Sequence, residues 1–220
     1  MKILVTGAQG FVGRNLVSQL HNIQEGKARN YGISGESLTV YEYDLDSDPS
    51  ELDIYCKQAD FVFNLAGVNR PKDESEFMKG NFGFASTLLD TLKKYNNTCP
   101  VMISSSIQAA QDNPYGESKR AGERLLFDYS KEAGAKVLVY RFPNVFGKWC
   151  RPNYNSAVAT FCNNIAHDIP IQVNDPSVVM NLVYIDDVVD ELISALRGKE
   201  HYVEEYCTAV SYTHLTLPTI

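Results

Sequence analysis

The chain has 220 residues, 44% of them hydrophobic and 21% charged, which suits one globular domain with a full core and perhaps a small second lobe. Its formal net charge of −7 argues against a general nucleic-acid binder, whose footprint is a basic face, so an anionic ligand has to find a local cationic pocket. The five cysteines (Cys56, Cys99, Cys150, Cys162 and Cys207) are scattered and form no CxxC pair. Neither a zinc site nor a disulfide framework is therefore expected, and the reducing cytoplasm is the expected compartment. There is no signal peptide and no apolar run long enough to span a membrane.

Short apolar runs alternate with helical spacing, the pattern of βαβ units around a parallel sheet. Residues 2–6 read as a buried strand and 11–21 as a helix with Val12, Leu16, Val17 and Leu20 on one face. Residues 22–37 are polar and contain glycine, as a loop does. Strands follow at 38–44 and 61–65, then a long helix over 74–95 that buries Leu88, Leu89 and Leu92. A strand at 101–105, a helix at 115–133 and a strand at 137–142 complete the regular part. Beyond Gly147 the pattern predicts a helix at 156–167, a short strand near 171–173, a strand at 181–185 and a helix at 186–197 capped by Asp186. Residues 211–220 show neither periodicity and resemble translated adapter sequence. They are expected to be a non-native tail outside the fold, with the natural chain continuing past about Val210. The domain is then residues 1–210, with cofactor elements up to about 147 and substrate-lobe elements over about 148–185.

The first strand runs into Thr6-Gly7-Ala8-Gln9-Gly10-Phe11-Val12-Gly13. At this spacing Gly7 permits a tight turn, Gly10 lets the backbone approach a pyrophosphate, and Gly13 lets the helix pack on the strand. The helix N-terminus offers unpaired N–H groups and a positive dipole end to the phosphates. The strand–turn–helix context is what gives the glycine triplet its weight. The expected fold is α/β, a Rossmann-type doubly wound parallel sheet with a small C-terminal substrate-binding lobe. Asp44, ending the second strand, is placed to accept hydrogen bonds from ribose hydroxyls and favours NAD(H). Arg14, just after the third glycine, favours NADP(H). Small residues at Leu65-Ala66-Gly67 would admit the cofactor at the end of the third strand.

Ser104-Ser105-Ser106 ends the strand from Val101, and Tyr115 and Lys119 lie four apart on the next helix, on one face. A phenol with an ordinary pKa near 10 is a poor acid–base group at neutral pH. A neighbouring ammonium favours the phenolate and draws that pKa down, and it can also hold the nicotinamide ribose. A serine hydroxyl at the strand tip can bind a substrate oxygen as charge develops on it.

With these features the chain resembles the extended short-chain dehydrogenase/reductases, which act mainly on nucleotide-activated sugars. Arg141-Phe142-Pro143-Asn144-Val145-Phe146-Gly147 resembles a segment of that family whose asparagine faces the nucleotide sugar, and Val183-Tyr184-Ile185-Asp186-Asp187-Val188-Val189 resembles its C-terminal lobe motif. The family pattern places the working hydroxyl at Ser106, with Ser105 as second choice. Longer runs narrow the resemblance: Leu65-Ala66-Gly67-Val68-Asn69-Arg70-Pro71, Ser104 to Ala109, Gln111 to Lys119 and Phe146 to Ser156 resemble the N-terminal reductase domain of the CapF family of capsule-biosynthesis enzymes. That resemblance implies NADPH-dependent reduction of a UDP-2-acetamido-2,6-dideoxy-4-ketohexose towards UDP-N-acetyl-L-fucosamine. It also implies a homodimer and a metal-binding C-terminal cupin domain, which is absent here. Within the run from Lys148 to Asn155, Arg151 is suited to phosphate, Trp149 or Tyr154 could stack on uracil, and Asn144 and Asn155 are assigned to the sugar. A C4 epimerase shares the same Ser-Tyr-Lys set. A 4,6-dehydratase needs an acidic pair beside the hydroxyl, where Ile107-Gln108 stand. A non-catalytic dinucleotide sensor would not need Ser106, Tyr115 and Lys119 together.

Overall fold

The computed structural model describes residues 1–173, 175 and 177–209, together with the backbone of 213–216. In chain order the elements are β1 (Lys2–Thr6), α1 (Phe11–Gln24), β2 (Thr39–Tyr43), α2 (Pro49–Gln58), β3 (Phe61–Asn64), α3 (Ser75–Phe77), a π-helical turn (Met78–Gly83) and α4 (Phe84–Lys94). They continue with β4 (Val101–Ser106), a 3-10 turn (Ile107–Ala110), α5 (Pro114–Ala133), β5 (Val137–Phe142), β6 (Asn144–Phe146), α6 (Ala157–Ala166), β7 (Val179–Tyr184), α7 (Ile185–Ala195), β8 (Tyr202–Val203), β9 (Tyr206–Cys207) and β10 (Thr213–Thr216).

The main sheet has seven strands in the order β2-β1-β3-β4-β5-β9-β8, parallel except for the β8–β9 hairpin. The chain steps from β1 outward to β2 and then back past β1 to β3. This reversal opens a crevice at the carboxyl ends of β1 and β3, where ligands bind in open α/β sheets. A smaller sheet, β10-β7-β6, lies beside it.

Alternation along the strands builds a core on each face of the main sheet. Ile3 and Val5 point to one side, where Leu16 and Leu20 of α1 and Val188 and Leu192 of α7 cover them. Leu4 points to the other, with Leu52 of α2, Leu88 and Leu92 of α4 and Leu126 of α5. All of these except Leu52 are fully buried, and each such side chain contributes about 2 kcal/mol from burial.

Four features differ from the sequence reading. Residues 45–60 carried no assignment, yet Pro49–Gln58 is a helix started by Asp48, whose carboxylate accepts from Ser50 N, with proline in the first turn. No strand forms at 171–173; the second sheet instead uses Asn144–Phe146, parallel to β7. Asp186 is not the cap of α7. Tyr184 holds that position without a side-chain bond, and Asp186 sits in the first turn, where it faces the positive end of the helix dipole. Thr213–Thr216, left out of the fold, pairs antiparallel with β7. Such a ladder joins backbone groups, so periodic side chains are not required to form it.

Candidate active site

The glycine turn is fixed from two directions. Gly7 and Ala8 donate their N–H groups to the carbonyl of Tyr43 at the end of β2. Gly7 has φ +69°, and a Cβ there would lie 2.6 Å from Ala66 N. A Cβ on Gly13 would lie 2.1 Å from the Gly7 carbonyl oxygen. Both glycines are thus demanded by the protein's own packing. Gly10 is different: its nearest neighbour would be the Gly7 oxygen at 3.1 Å, and its missing side chain leaves the turn open towards the cleft. Gly10 is also the N-cap of α1, so no side chain closes the first turn of that helix, and its N–H groups face outward. An open backbone cradle at a helix N-terminus is what a dinucleotide pyrophosphate requires.

The cleft in front of this turn has a volume of about 420 Å³. Gly10, Phe11, Val12 and Gly13 form one wall, Leu65 and Gly67 the floor, and Ser104, Ser105, Ser106, Tyr115 and Lys119 the opposite wall; Asn144 and Asn155 close it. Residues from the glycine turn and the start of α1, the segment after β3, β4, α5 and β6 therefore line one cleft. Gln9, Arg14 and Asp44 lie elsewhere. Asp44 accepts the N–H of Gln9 at 2.7 Å and of Leu45 at 2.8 Å, while the Gln9 amide reaches Asp46. Asp44 thus ties the glycine turn to β2. Gln9 and Arg14 line a second, shallower recess with His21, Lys27, Glu42 and Trp149. Gly7 and Ala66 pack against each other under the turn.

Trp149 does not line the main cleft. Asn15 Nδ2 holds the Lys148 carbonyl at 3.1 Å, folding the segment back on α1, and Trp149 adopts φ +67°. Its ring lies under the Arg14 guanidinium at 5.3 Å, a cation–π contact that places it beside the glycine turn. Tyr154 instead stacks under Arg70 at 5.6 Å. Arg151 is exposed and lies outside the residues lining the cleft.

Tyr115 sits in the first turn of α5, which Asn113 caps through Gly116 N at 2.8 Å. The helix start is pressed onto the 3-10 turn so tightly that a Cβ on Gly116 would meet the Gln108 oxygen at 2.4 Å. Arg120 binds the Ala109 carbonyl and Asp112, holding the same turn. Tyr115 thereby meets the Ser106 hydroxyl, with Phe77 packed edge-on at 5.6 Å. Lys119 is 7% exposed; its Nζ donates to the Ser104 carbonyl at 3.1 Å and lies 5.7 Å from the centre of the Tyr115 ring.

The charge states differ from the simple expectation that the lysine draws the phenol down. Burial pushes the Tyr115 hydroxyl above its ordinary value, and the hydrogen bond with Ser106 only partly offsets this. Burial also brings the Lys119 ammonium down to about 8, against the pull of Glu123. Desolvation outweighs the mutual effect of the pair, because the cleft wall that gathers them also removes them from water.

Two groups at this site were missed by the sequence reading. Asn81, buried in the π-helical turn, accepts from Val68 N at 2.9 Å and donates to Val68 O and to Ser118 Oγ, which fixes the Gly67–Val68 segment beneath Lys119. Glu123, one turn beyond Lys119, accepts from Ser105 Oγ at 2.5 Å and from Arg141 Nε at 2.8 Å. The spacing Lys-x-x-x-Glu was the available signal for the second; the first had none.

The NAD dependent epimerase/dehydratase family matches over residues 3–206. The chain belongs to that family. It is 47% identical over 199 residues to a protein of Pseudomonas aeruginosa named UDP-2-acetamido-2,6-beta-L-arabino-hexul-4-ose reductase, covering 90% of this chain and 50% of that protein. Among solved structures it is similar to the capsular polysaccharide assembling protein CapF from Staphylococcus aureus, with a TM-score of 0.83 and 42% identity over 98% of this chain and 55% of the other. The chain spans about half the length of both relatives. A UDP-glucuronic acid 4-epimerase from Bacillus cereus, solved with NAD, shares the fold at a TM-score of 0.76 and 22% identity, covering 97% of this chain and 80% of that one. Among the described residues no helix is long and apolar enough to cross a membrane.

Proposed function

We propose that this chain binds a reduced nicotinamide dinucleotide across the glycine turn and reduces the 4-keto group of a UDP-2-acetamido-2,6-dideoxyhexose. The observation that carries this reading is the meeting of Ser106, Tyr115 and Lys119 in one cleft with the open turn at Gly10. The P. aeruginosa relative's name supports the substrate, and the similarity to CapF supports a place in capsular precursor synthesis.

When bound, the reduced nicotinamide supplies the hydride for the ketone carbon. Ser106 donates a hydrogen bond to the ketone oxygen as negative charge grows there. Tyr115 gives that oxygen its proton, completing the alcohol. A phenol held above its ordinary pKa by burial keeps its proton at neutral pH, which suits a proton donor in the reducing direction. Lys119 supplies positive charge beneath the site and a hydrogen-bond donor for the nicotinamide ribose. Asn144 and Asn155 supply polar groups for the sugar.

The proposed cofactor is NADPH. Both Asp44 oxygens are taken by backbone N–H groups, and the recess beside the turn holds Arg14, a cation that suits a 2′-phosphate, while its Lys27 is paired with Glu25. Purified protein offered UDP-4-keto sugars with NADPH or NADH, followed at the nicotinamide absorbance band, tests the whole reading. Stoichiometric release of oxidised cofactor is the expected result. Turnover without net cofactor oxidation would favour a C4 epimerase, and dinucleotide binding without any turnover a sensor. NADH binding tenfold tighter than NADPH, abolished by Asp44→Ala, would overturn the cofactor assignment.

A further inference from the structure

The three serines that end β4 divide their groups among three partners. Ser104 gives its carbonyl to Lys119 Nζ, Ser105 its hydroxyl to Glu123, and the Ser106 hydroxyl meets Tyr115. Ser104 and Ser106 share one face of the strand and Ser105 takes the other. The partner on the far face, behind the site, is Glu123.

Glu123 is 2% exposed. Arg141 of β5 grips it with two bonds, Nε to Oε1 at 2.8 Å and a terminal nitrogen to Oε2 at 2.6 Å. Arg141 in turn lies 3.6 Å from the centre of the Tyr206 ring on β9. A buried carboxylate is thus anchored on β4, β5 and its own helix. A well-packed apolar group would serve a merely structural clamp about as well, since desolvation offsets most of a buried ion pair's attraction. What a carboxylate adds is a field, and Lys119 lies one helical turn away.

We infer that Glu123 is a positioning residue for the reductive site, tying the Ser105–Ser106 end of β4 to α5 and setting a buried carboxylate one turn from Lys119, without touching substrate. The inference rests on the reading of Lys119 and Ser106 given above. The charged and titratable groups facing Lys119 are Glu123 and Tyr115 on its own helix and, behind Glu123, Arg141 on β5. The end of β3 and the π-helical turn bring Gly67 and Asn81 near it, and β4 the Ser104 carbonyl. Burial alone drives the ammonium down, and Glu123 is the group that opposes it.

The test is Glu123→Gln, which keeps the shape and an acceptor for Ser105 and removes the charge. Lysine side-chain NMR, with the Lys119 signal assigned through Lys119→Arg, reads the ionisation of that one amine without substrate or cofactor. The wild-type midpoint is expected at about 8. In Glu123→Gln it should fall by roughly one pH unit, the low end of what an opposite charge at short range does. The alkaline limb of the kcat profile should move with it, and Ser105→Ala should leave the midpoint in place. If Glu123→Gln does not fold, Arg141→Gln carries the test with the opposite sign, because it strips the cation that partly cancels the carboxylate. A folded variant with an unmoved Lys119 midpoint would overturn the inference and leave the proposed function standing. A moved midpoint in a protein that turns over no UDP-4-keto sugar would strike the proposed function instead.

Discussion

Replacing Lys119 by methionine should make the protein more stable and inactive at once. The amine is nearly excluded from water, and burial lowers its pKa from 10.5 to about 8. A lysine whose folded pKa is lowered binds fewer protons in the native state than in the unfolded one, so stability is depressed below the folded pKa and recovers as pH rises from about 8 towards about 10.5. That shift corresponds to about 3 kcal/mol at neutral pH. Methionine keeps most of the volume and drops the charge. The Ser104 carbonyl then loses its donor, at a cost of about 1 kcal/mol. The net gain is about 2 kcal/mol at about pH 7, shrinking to near zero at about pH 10. Urea denaturation of both proteins at the two pH values measures it. The difference between variants cancels the tyrosines that titrate in the same window. Destabilisation at neutral pH, or the same gain at both pH values, would refute the view that this lysine is strained by desolvation.

Tyr115→Phe should lower turnover by roughly two to four decades while dinucleotide binding is retained; steady-state rates and a fluorescence titration check the two halves. Gly13→Ala places a Cβ 2.1 Å from the Gly7 oxygen, so dinucleotide binding should be lost together with several degrees of melting temperature, both read on the same sample. Reduction should slow as pH rises through about 8, where Lys119 loses its charge, whereas Tyr115, held above its ordinary value, still carries its proton. A kcat profile that rises through that range would contradict the assignment.

The parallel sheet was legible because its central strands are short apolar runs, and Lys2–Thr6 and Val137–Phe142 match the expected bounds. Helix α2 was missed because it buries only Leu52 and Cys56, too thin a stripe for periodicity to register, although Asp48-Pro49 marked its start. The Ser-Tyr-Lys set was legible from its order along the chain. Its electrostatic support was not, since Glu123 and Arg141 meet only once β5 is laid beside β4. Aromatic character in the run after Gly147 pointed to a nucleotide base. The fold instead carries Trp149 to the cation after the third glycine, a contact between residues more than a hundred positions apart that no local pattern encodes.

The π-helical turn at Met78–Gly83 carries a different kind of information. A π turn is in effect one residue inserted into an α-helix, and here it brings Asn81 inward onto Val68 and Ser118 and seats Gly80 where a Cβ would lie 2.3 Å from a Val68 methyl. Deleting a single residue from this stretch would restore ordinary helical pairing and swing one side of the insertion by about 100° relative to the other. With any residue but Asn81 deleted, Asn81 itself would still be present, yet it would face away. This part of the site is specified by a count of residues, so it is open to loss by one deletion in a way that substitution scanning would not reveal.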